Sequence, residues 1–237
     1  MTNSFRFKQF SINQDRCAMK IGTDGVLLGA WATIDHRPET VLDIGSGTGV
    51  LSLMIAQRTN HAYIEAIEID AEAYVQCTEN FEASPWADRL FCYHASLIEF
   101  VEEVDERFDL IICNPPFYDG SYKTDEASRN MARFQDAMPF EHLIYAVQNL
   151  LADKGIFAVI IPSKEEATFI EIARNAGLFL SRKCGVKGST KSLEKRALLE
   201  LTKTENIPVS EMLIIETDRH LYTTEYKALV QDFYLKM

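Results

Sequence analysis

Val41-Leu42-Asp43-Ile44-Gly45-Ser46-Gly47-Thr48-Gly49 is the stretch that decides the fold of this chain. Its first four residues are apolar apart from one aspartate, and they run into three glycines at alternate positions. A helical pattern over 49–58 begins where the glycines end, so the stretch reads as strand, tight turn, helix. Glycine lets a backbone take positive φ and approach a ligand closely. The spacing is G-x-G-x-G, not the G-x-G-x-x-G of pyrophosphate-binding turns. That fits a cofactor whose amino-acid part, rather than a diphosphate, lies over the turn. From the glycines alone, a plain strand-to-helix connection reads equally well.

Outward from this turn the alternation continues. Short runs rich in Val, Ile and aromatics at 41–44, 62–67, 90–94, 108–113 and 156–161 have the character of strands buried on both faces. Helical patterns at 71–83, 96–104, 140–151 and 164–175 separate or follow them. Repeated β-α units imply a parallel sheet covered by helices on both faces, an α/β fold. Two further strands, 179–186 and 196–201, follow one another without a helix and would form a C-terminal β-hairpin. The expected sheet is seven-stranded and mostly parallel. Residues 1–40 and 204–237, the latter with a strand near 212–215 and a helix near 224–234, read as additions to a single domain spanning 1–237. Residues 114–139 lack clear periodicity, and a loop that long after a strand is usually functional.

The chain has 237 residues, 47% of them hydrophobic and 25% charged, enough to bury a core without disulfides or metal. A formal charge of −11 argues against the whole surface binding nucleic acid. Locally the balance reverses. Between Arg182 and Lys203 stand Arg182, Lys183, Lys187, Lys191, Lys195, Arg196 and Lys203 against only Glu194 and Glu200. A local positive field is what phosphates feel, although a solvated loop and strand face would carry the same residues. Five widely spaced cysteines, Cys17, Cys77, Cys92, Cys113 and Cys184, suit reduced thiols. The opening residues form no signal-like apolar run, and no window reaches the ~20 apolar residues of a membrane helix. The expectation is a cytoplasmic protein that does not engage membranes.

Glu68 ends the strand after the glycine turn, 19 residues beyond Gly49. That is close to the ~20-residue offset at which a carboxylate reaches ribose hydroxyls. A helix-capping role suits Asp70 better. Asn114-Pro115-Pro116-Phe117 follows strand 108–113 directly and carries a different chemistry. An exocyclic amine on a heteroaromatic ring delocalises its lone pair and attacks poorly. Two acceptors on its N–H groups, the Asn114 side-chain oxygen and the Pro115 carbonyl, would draw that nitrogen toward tetrahedral geometry. The prolines stiffen the turn, and Phe117 offers a flat face to a base extruded from its stack.

With these residues the chain resembles class I S-adenosylmethionine-dependent N-methyltransferases carrying an N-P-P-[FYW] motif, which have a Rossmann-like fold. The resemblance implies that Asp43, Gly45, Gly47 and Gly49 line the cofactor, S-adenosyl-L-methionine, and that Glu68 binds its ribose. It further implies that Asn114, Pro115 and Phe117 hold the target amine, with Asn114 also beside the cofactor. The usual acidic residue that bonds the cofactor adenine is replaced here by Ala95-Ser96, which leaves Ser96 for that role. A narrower resemblance covers nearly the whole chain. Phe7-Lys8-Gln9-Phe10, the stretch from Asp15 to Trp31 and the ending Ala228-Leu229-Val230-Gln231-Asp232-Phe233-Tyr234-Leu235-Lys236 are similar to bacterial tRNA(Val) adenine-N6 methyltransferases. In that family the target is adenine 37, next to the anticodon. Lys20, Thr23 and Asp24 are polar groups beside an apolar run, suited to the cofactor's amino-acid end. They suit equally a helix capped at Thr23 or Asp24.

The resemblance makes the anticodon stem-loop of a tRNA the expected partner of a monomeric enzyme. Arg129 and Arg133, four apart, could meet phosphates or pair with Asp125 and Asp136. Lys187, Lys191 and Lys195 in the basic stretch are the candidate contacts to the tRNA backbone. His36, His61, His94, His142 and His220 show no metal spacing, so no metal is expected. Three alternatives remain open. The same turn serves guanine-N2 or adenine-N6 methyltransferases of rRNA, and protein-glutamine N5-methyltransferases, which usually have Tyr in place of Phe117. A non-catalytic RNA-binding module would not need the amine-gripping turn.

Overall fold

The computed structural model describes residues 4–116 and 138–237. A nine-stranded sheet runs through it, built from β3 (Thr40–Ile44), β4 (Tyr63–Glu68), β5 (Leu90–His94), β6 (Phe108–Cys113), β7 (Leu151–Pro162), β8 (Phe179–Ser189), β9 (Glu194–Thr202), β10 (Val209–Asp218) and β11 (Leu221–Tyr222). Their order across the sheet is β11-β10-β8-β9-β7-β6-β3-β4-β5. The seven expected strands form the continuous block from β8 to β5, in which only β9 runs antiparallel. Strand β10 adds to β8 in parallel, with Leu213 opposite Val186, and β11 closes back on β10. The strand expected near 212–215 is therefore longer and belongs to the main sheet.

Alternation along each strand sends side chains to two cores. Val41, Ile64, Leu110, Ile112 and Ile160 face one, with helices α1 (Thr23–Trp31), α2 (Val50–Arg58), part of α3 (Ala71–Glu82) and α7 (Thr224–Val230). Leu42, Ile44, Ile111, Phe157 and Ile161 face the other, with α4 (Leu97–Glu103), α5 (Phe140–Leu150) and α6 (Glu166–Asn175). Helix α1 is buried from Gly25 to Trp31, which explains why it lacks an amphipathic pattern. It lies close on α2 because Gly29 has no side chain: a Cβ there would stand 2.8 Å from the Met54 sulfur.

Strand β7 begins five residues earlier than its apolar run at 156–161, and Gly155 is the reason. A Cβ at Gly155 would lie 2.8 Å from the Phe108 carbonyl oxygen, beside the register shift between β6 and β7. The backbone passes that irregularity only without a side chain. The short pair β1 (Ser4–Arg6) and β2 (Ser11–Asn13) was not expected from the sequence. Phe7 stacks on Phe10 and Tyr234, fixing this pair to the chain's last residues. All five cysteines are free thiols, four of them buried. No helix among the described residues is long and apolar enough to cross a membrane.

Candidate active site

Sheet register lines up four chain segments at the carboxyl ends of the parallel strands. Ile44 of β3 pairs with Cys113 of β6 on one side and Ile67 of β4 on the other, and Glu68 pairs with His94 of β5. The residues that leave the sheet next are Asn114, Gly45 and Ala95-Ser96, with Glu68 at the end of its strand. Neighbouring strands are about 4.8 Å apart, so Asn114, the glycine turn, Glu68 and Ser96 form one row across the edge of the sheet.

The glycine turn takes the conformation its residues allow. Gly45, Gly47 and Gly49 all have positive φ, at 72°, 54° and 78°. At Gly49 the constraint is double, because a Cβ would lie 2.5 Å from the Phe81 ring and 2.9 Å from the Cys77 sulfur. The turn is docked on β4: the Gly45 and Ser46 amides donate to the Ile67 carbonyl at 3.0 and 3.1 Å. The Gly47 amide donates to Glu68 Oε2 at 2.8 Å, and the Asp70 amide donates to Glu68 Oε1 at 2.9 Å. Each carboxylate oxygen thus accepts one backbone N–H and keeps a second lone pair for a hydroxyl. Asp70 caps α3, accepting from the Ala73 amide.

Asp43 is fully buried beneath the turn. Its Oδ2 accepts from the Ser52 amide and hydroxyl at 3.2 and 2.7 Å, whereas its Oδ1 is enclosed with no partner. Burial pushes its carboxyl up to about 7, against the two Ser52 hydrogen bonds that pull it down. Beside the row lies a cavity of about 260 Å³ between Ile44, Ile67, Ile69, Ala95, Ser96 and Met138. Its walls are chiefly apolar and suit a flat purine. Ser96 lines it and also caps α4 in a capping box with Glu99. The Ser96 oxygen accepts from the Glu99 amide, and its hydroxyl also bonds the Glu99 carboxylate, which lowers that group's proton affinity.

Asn114 is half-buried and Pro115 buried where β6 ends. Gly25 of α1 is the helix residue beside Asn114: a Cβ there would stand 3.9 Å from Asn114 Nδ2, in ordinary contact. Thr23, exposed, opens α1, but neither expected cap is present: Gly22 is the N-cap residue, without a side-chain bond. Asp24 pairs instead with Arg196 Nε on β9 at 2.7 Å, so its carboxylate points away from the helix amides. Lys20 donates to the carbonyls of Gln14 and Cys17 and holds the preceding loop closed, with one ammonium N–H left over. Phe117, Arg129 and Arg133 lie outside the described residues.

Sequence reasoning missed Asn80. This buried amide donates to the Asn13 carbonyl at 2.8 Å and to the Thr48 carbonyl at 2.9 Å, and it accepts from the Asn13 amide at 2.8 Å. It ties the N-terminal segment to the glycine turn. Gln76, one helical turn earlier, accepts from the Arg16 amide. The signal was available: Gln76 and Asn80 share the α3 face of Ala73, Cys77 and Phe81, where uncompensated polar groups are costly.

The basic stretch is divided by the structure. Arg182 bonds Glu211 and lies 4.3 Å over the Trp31 ring, Lys183 bonds Glu166, and Lys203 bonds the Leu151 carbonyl. With Arg196 on Asp24, four of the seven serve the protein's own packing. Lys187, Lys191 and Lys195 have no ion pair among the described residues. They stand near the β8–β9 turn, and β8 runs parallel to β7, so this turn is at the same sheet edge as Asn114. No cluster of three His, Cys, Asp or Glu among the described residues is arranged to hold a metal ion.

Comparison with known proteins agrees with this geometry. A family model described as Methyltransferase small domain matches residues 22–170. A Flavobacterium psychrophilum protein named tRNA1(Val) (adenine(37)-N6)-methyltransferase is 57% identical over 98% of this chain and all of its own. A Trichodesmium erythraeum protein of the same name is 44% identical over 99% of this chain and 98% of its own. Among solved structures, a predicted O-methyltransferase from Agrobacterium tumefaciens superposes with a TM-score of 0.69 at 20% identity, covering 89% of this chain and 96% of its own. Pyrococcus horikoshii TYW2 in complex with MeSAdo gives 0.57 at 18% identity, covering 85% and 71%. These two carry the Rossmann-like methyltransferase fold alone.

Proposed function

This chain belongs to the methyltransferase small domain family and, within it, to the tRNA1(Val) (adenine(37)-N6)-methyltransferases, and from that premise we propose how its residues work. It is an S-adenosylmethionine-dependent tRNA (adenine-N6)-methyltransferase acting on adenine 37, next to the anticodon. We read the whole of 1–237 as one domain that works as a monomer in the cytoplasm.

The cofactor fits the residues present. Glu68 would hold its ribose hydroxyls with two spare lone pairs, the apolar cavity with Ser96 would hold its adenine, and Gly45, Gly47 and Gly49, with Lys20 and Thr23 beyond, would hold its amino-acid end. Asp43, with its enclosed and unpartnered oxygen, lies beneath that end, and a cationic group there would favour its ionised form. When bound, the cofactor supplies an electrophilic methyl on sulfur.

The chain's own task is to prepare the amine. Asn114 Oδ1 and the Pro115 carbonyl accept the two N–H groups of adenine N6 and orient its lone pair towards the cofactor side of the row. The methylated nitrogen is strongly acidic and gives up its proton readily, so no strong general base is required. The proposed face for the extruded base is Phe117. Lys187, Lys191 and Lys195, with Arg129 and Arg133, are the proposed contacts to the tRNA backbone.

One observation carries the reading: Asn114 leaves the sheet next to Gly45, because Cys113 and Ile44 are register partners. The experiment is methyl transfer from labelled S-adenosylmethionine to bulk tRNA lacking the modification, followed by nucleoside analysis. Label is expected in N6-methyladenosine. Label in rRNA or protein instead would move the substrate assignment to one of the alternatives.

A further inference from the structure

A second polar site lies at the opposite edge of the sheet, where α1 and α2 end. Two adjoining cavities of about 450 and 330 Å³ share Ile34 and Arg58 as walls. Lys8 lines the first, with Asp232 its single carboxylate-bearing residue. Arg37, Asn60 and His61 line the second, which has none. On a protein of charge −11 this concentration of cations calls for a physical reason.

The first candidate reason is the carboxyl end of α2, where basic side chains offset the helix dipole. That task is already done from inside. Arg89, 8% exposed, donates to the carbonyls of Ala56, Thr59 and Ala62 at 2.6, 2.6 and 2.9 Å. Arg58 is thus surplus to the helix end. It donates one N–H to the Gly29 carbonyl at 2.8 Å, and among the described residues no ion pair holds it. A guanidinium carries five N–H donors, and Arg58 lines both cavities, so donors beyond the Gly29 bond are available to a ligand there. Burial lowers its proton affinity, partly opposed by the fields of Asp35 and Glu200. The chain therefore keeps a partly desolvated cation that feels the fields of Asp35 and Glu200 but forms no ion pair among the described residues, an arrangement that a bound anion would stabilise.

Arg37 supplies the second argument. It has φ 53°, left-handed backbone that costs an arginine about 1 kcal/mol or more and that glycine or asparagine would adopt more easily. Its amide closes a turn onto the Ile34 carbonyl at 2.9 Å, and that turn presents the side chain to the same cavity as Arg58. His61 Nδ1 donates to Asn60 Oδ1 at 2.9 Å, leaving the asparagine amide nitrogen as a donor to a ligand and the histidine Nε2 as one only in the doubly protonated ring. Arginine forks, an amide and an imidazole with no carboxylate among them are the donor set that phosphate oxygens take.

We propose that this corner, built on Arg37, Arg58 and His61, is a phosphate-binding site and that the phosphates belong to the tRNA backbone away from the target adenine. The second half rests on the tRNA reading above. Helix α2 rises about 14 Å over its nine residues, which sets the spacing between the cofactor turn and this corner along the helix. An RNA stem can bridge that distance.

The test compares wild type with Arg37→Gln/Arg58→Gln and, to spare the Arg58–Gly29 bond, with Arg37→Gln/His61→Gln. Fluorescence anisotropy with labelled unmodified tRNA is measured across a salt series, and cofactor affinity by calorimetry reports the fold. The expected result is tRNA affinity weakened about five- to tenfold, a salt slope shallower by about 1 to 2, and unchanged cofactor affinity. Calorimetric titration with pyrophosphate is the second arm. Loss of pyrophosphate binding with unchanged tRNA affinity would uphold the phosphate site and overturn its assignment to tRNA. If neither probe responds to the substitutions, the site is refuted. Wild-type protein that neither binds nor methylates tRNA sinks the functional reading, and the pyrophosphate arm then decides the site alone.

Discussion

The carboxyl edge of β3, β4 and β6 and the far hairpin β8–β9 both carry functional assignments, yet they are built in opposite ways. At the first edge the backbone itself is the device. Three positive-φ glycines, a carboxylate holding the Gly47 and Asp70 amides, and an asparagine placed by strand register leave little freedom for other residues. At the hairpin the proposed RNA contact rests on charge, and charge can come from any of several side chains. Arg182, Lys183, Arg196 and Lys203 are absorbed into internal bonds, and only their spatial neighbours reveal which of the seven basic residues are left for a partner. Backbone-determined function is stringent in sequence, and charge-determined function is tolerant.

The contrast breaks most clearly at Asn114. Asn114→Ala removes one of the two proposed acceptors on the target amine, an interaction that would strengthen as charge develops. Turnover should fall about 10²- to 10³-fold, the cost typical of one such hydrogen-bonding group, with cofactor affinity nearly unchanged by calorimetry. Loss of both together would mean that Asn114 supports the cofactor turn and not the amine.

Glu68→Ala should act in the complementary way. It deletes two backbone acceptors and the proposed ribose contact, so cofactor affinity should weaken about 10- to 100-fold, or roughly 1.4–2.8 kcal/mol. Unchanged affinity would remove Glu68 from the ribose. Asp43 sharpens the same edge through pH. Its carboxyl keeps a proton in the folded state up to about pH 7, whereas the unfolded chain releases it near the usual carboxylate value. The folded state therefore binds more protons between those values, and this group's contribution makes stability fall as pH rises from about 4 to 7. Asp43→Asn should melt at a higher temperature than wild type at pH 8, the gap closing towards pH 4. A pH-independent gap would show that the carboxyl ionises normally.

This division also explains what was legible. The strand at 108–113 was read to the residue because a buried parallel strand is a largely apolar run bounded by polar residues. The one at 90–94 was read to the residue too, although it is an edge strand and mostly exposed, not buried on both faces as its apolar run implied. The glycine turn, Glu68 and Asn114 were readable since their spacing follows from strand and helix lengths. Asn80 could be picked out as a polar residue on the buried face of α3, but its partners Asn13 and Thr48, 67 and 32 residues away, could not, because no local pattern links them. The expected caps at Thr23 and Asp24 failed for the same reason: Arg196, 172 residues distant, competes for the Asp24 carboxylate and takes it. Strand β10 was seen only as a short element, since half of it lies at an exposed edge where no apolar pattern is required.

The smallest expected effect belongs to the hairpin, and its size is part of the argument. Lys191 and Lys195 are exposed and unpaired among the described residues, so replacing them disturbs no internal bond and should leave the melting temperature unchanged. Lys191→Glu/Lys195→Glu turns two attractive charges into two repulsive ones at the edge shared with Asn114. Affinity for unmodified tRNA should drop about tenfold at low salt, and the salt dependence should flatten as two phosphate contacts are lost. Because these charges never touch the amine, kcat at saturating tRNA should hold while KM rises. Charge reversal at Arg196 would confuse the result, since that residue also anchors Asp24 at the start of α1. If the lysine pair alters neither affinity nor its salt slope, RNA does not cross this end of the hairpin. The contrast between a backbone-built edge and a charge-built one would then need its second member relocated, with the corner around Arg37 and Arg58 as the remaining concentration of unpaired cations described above.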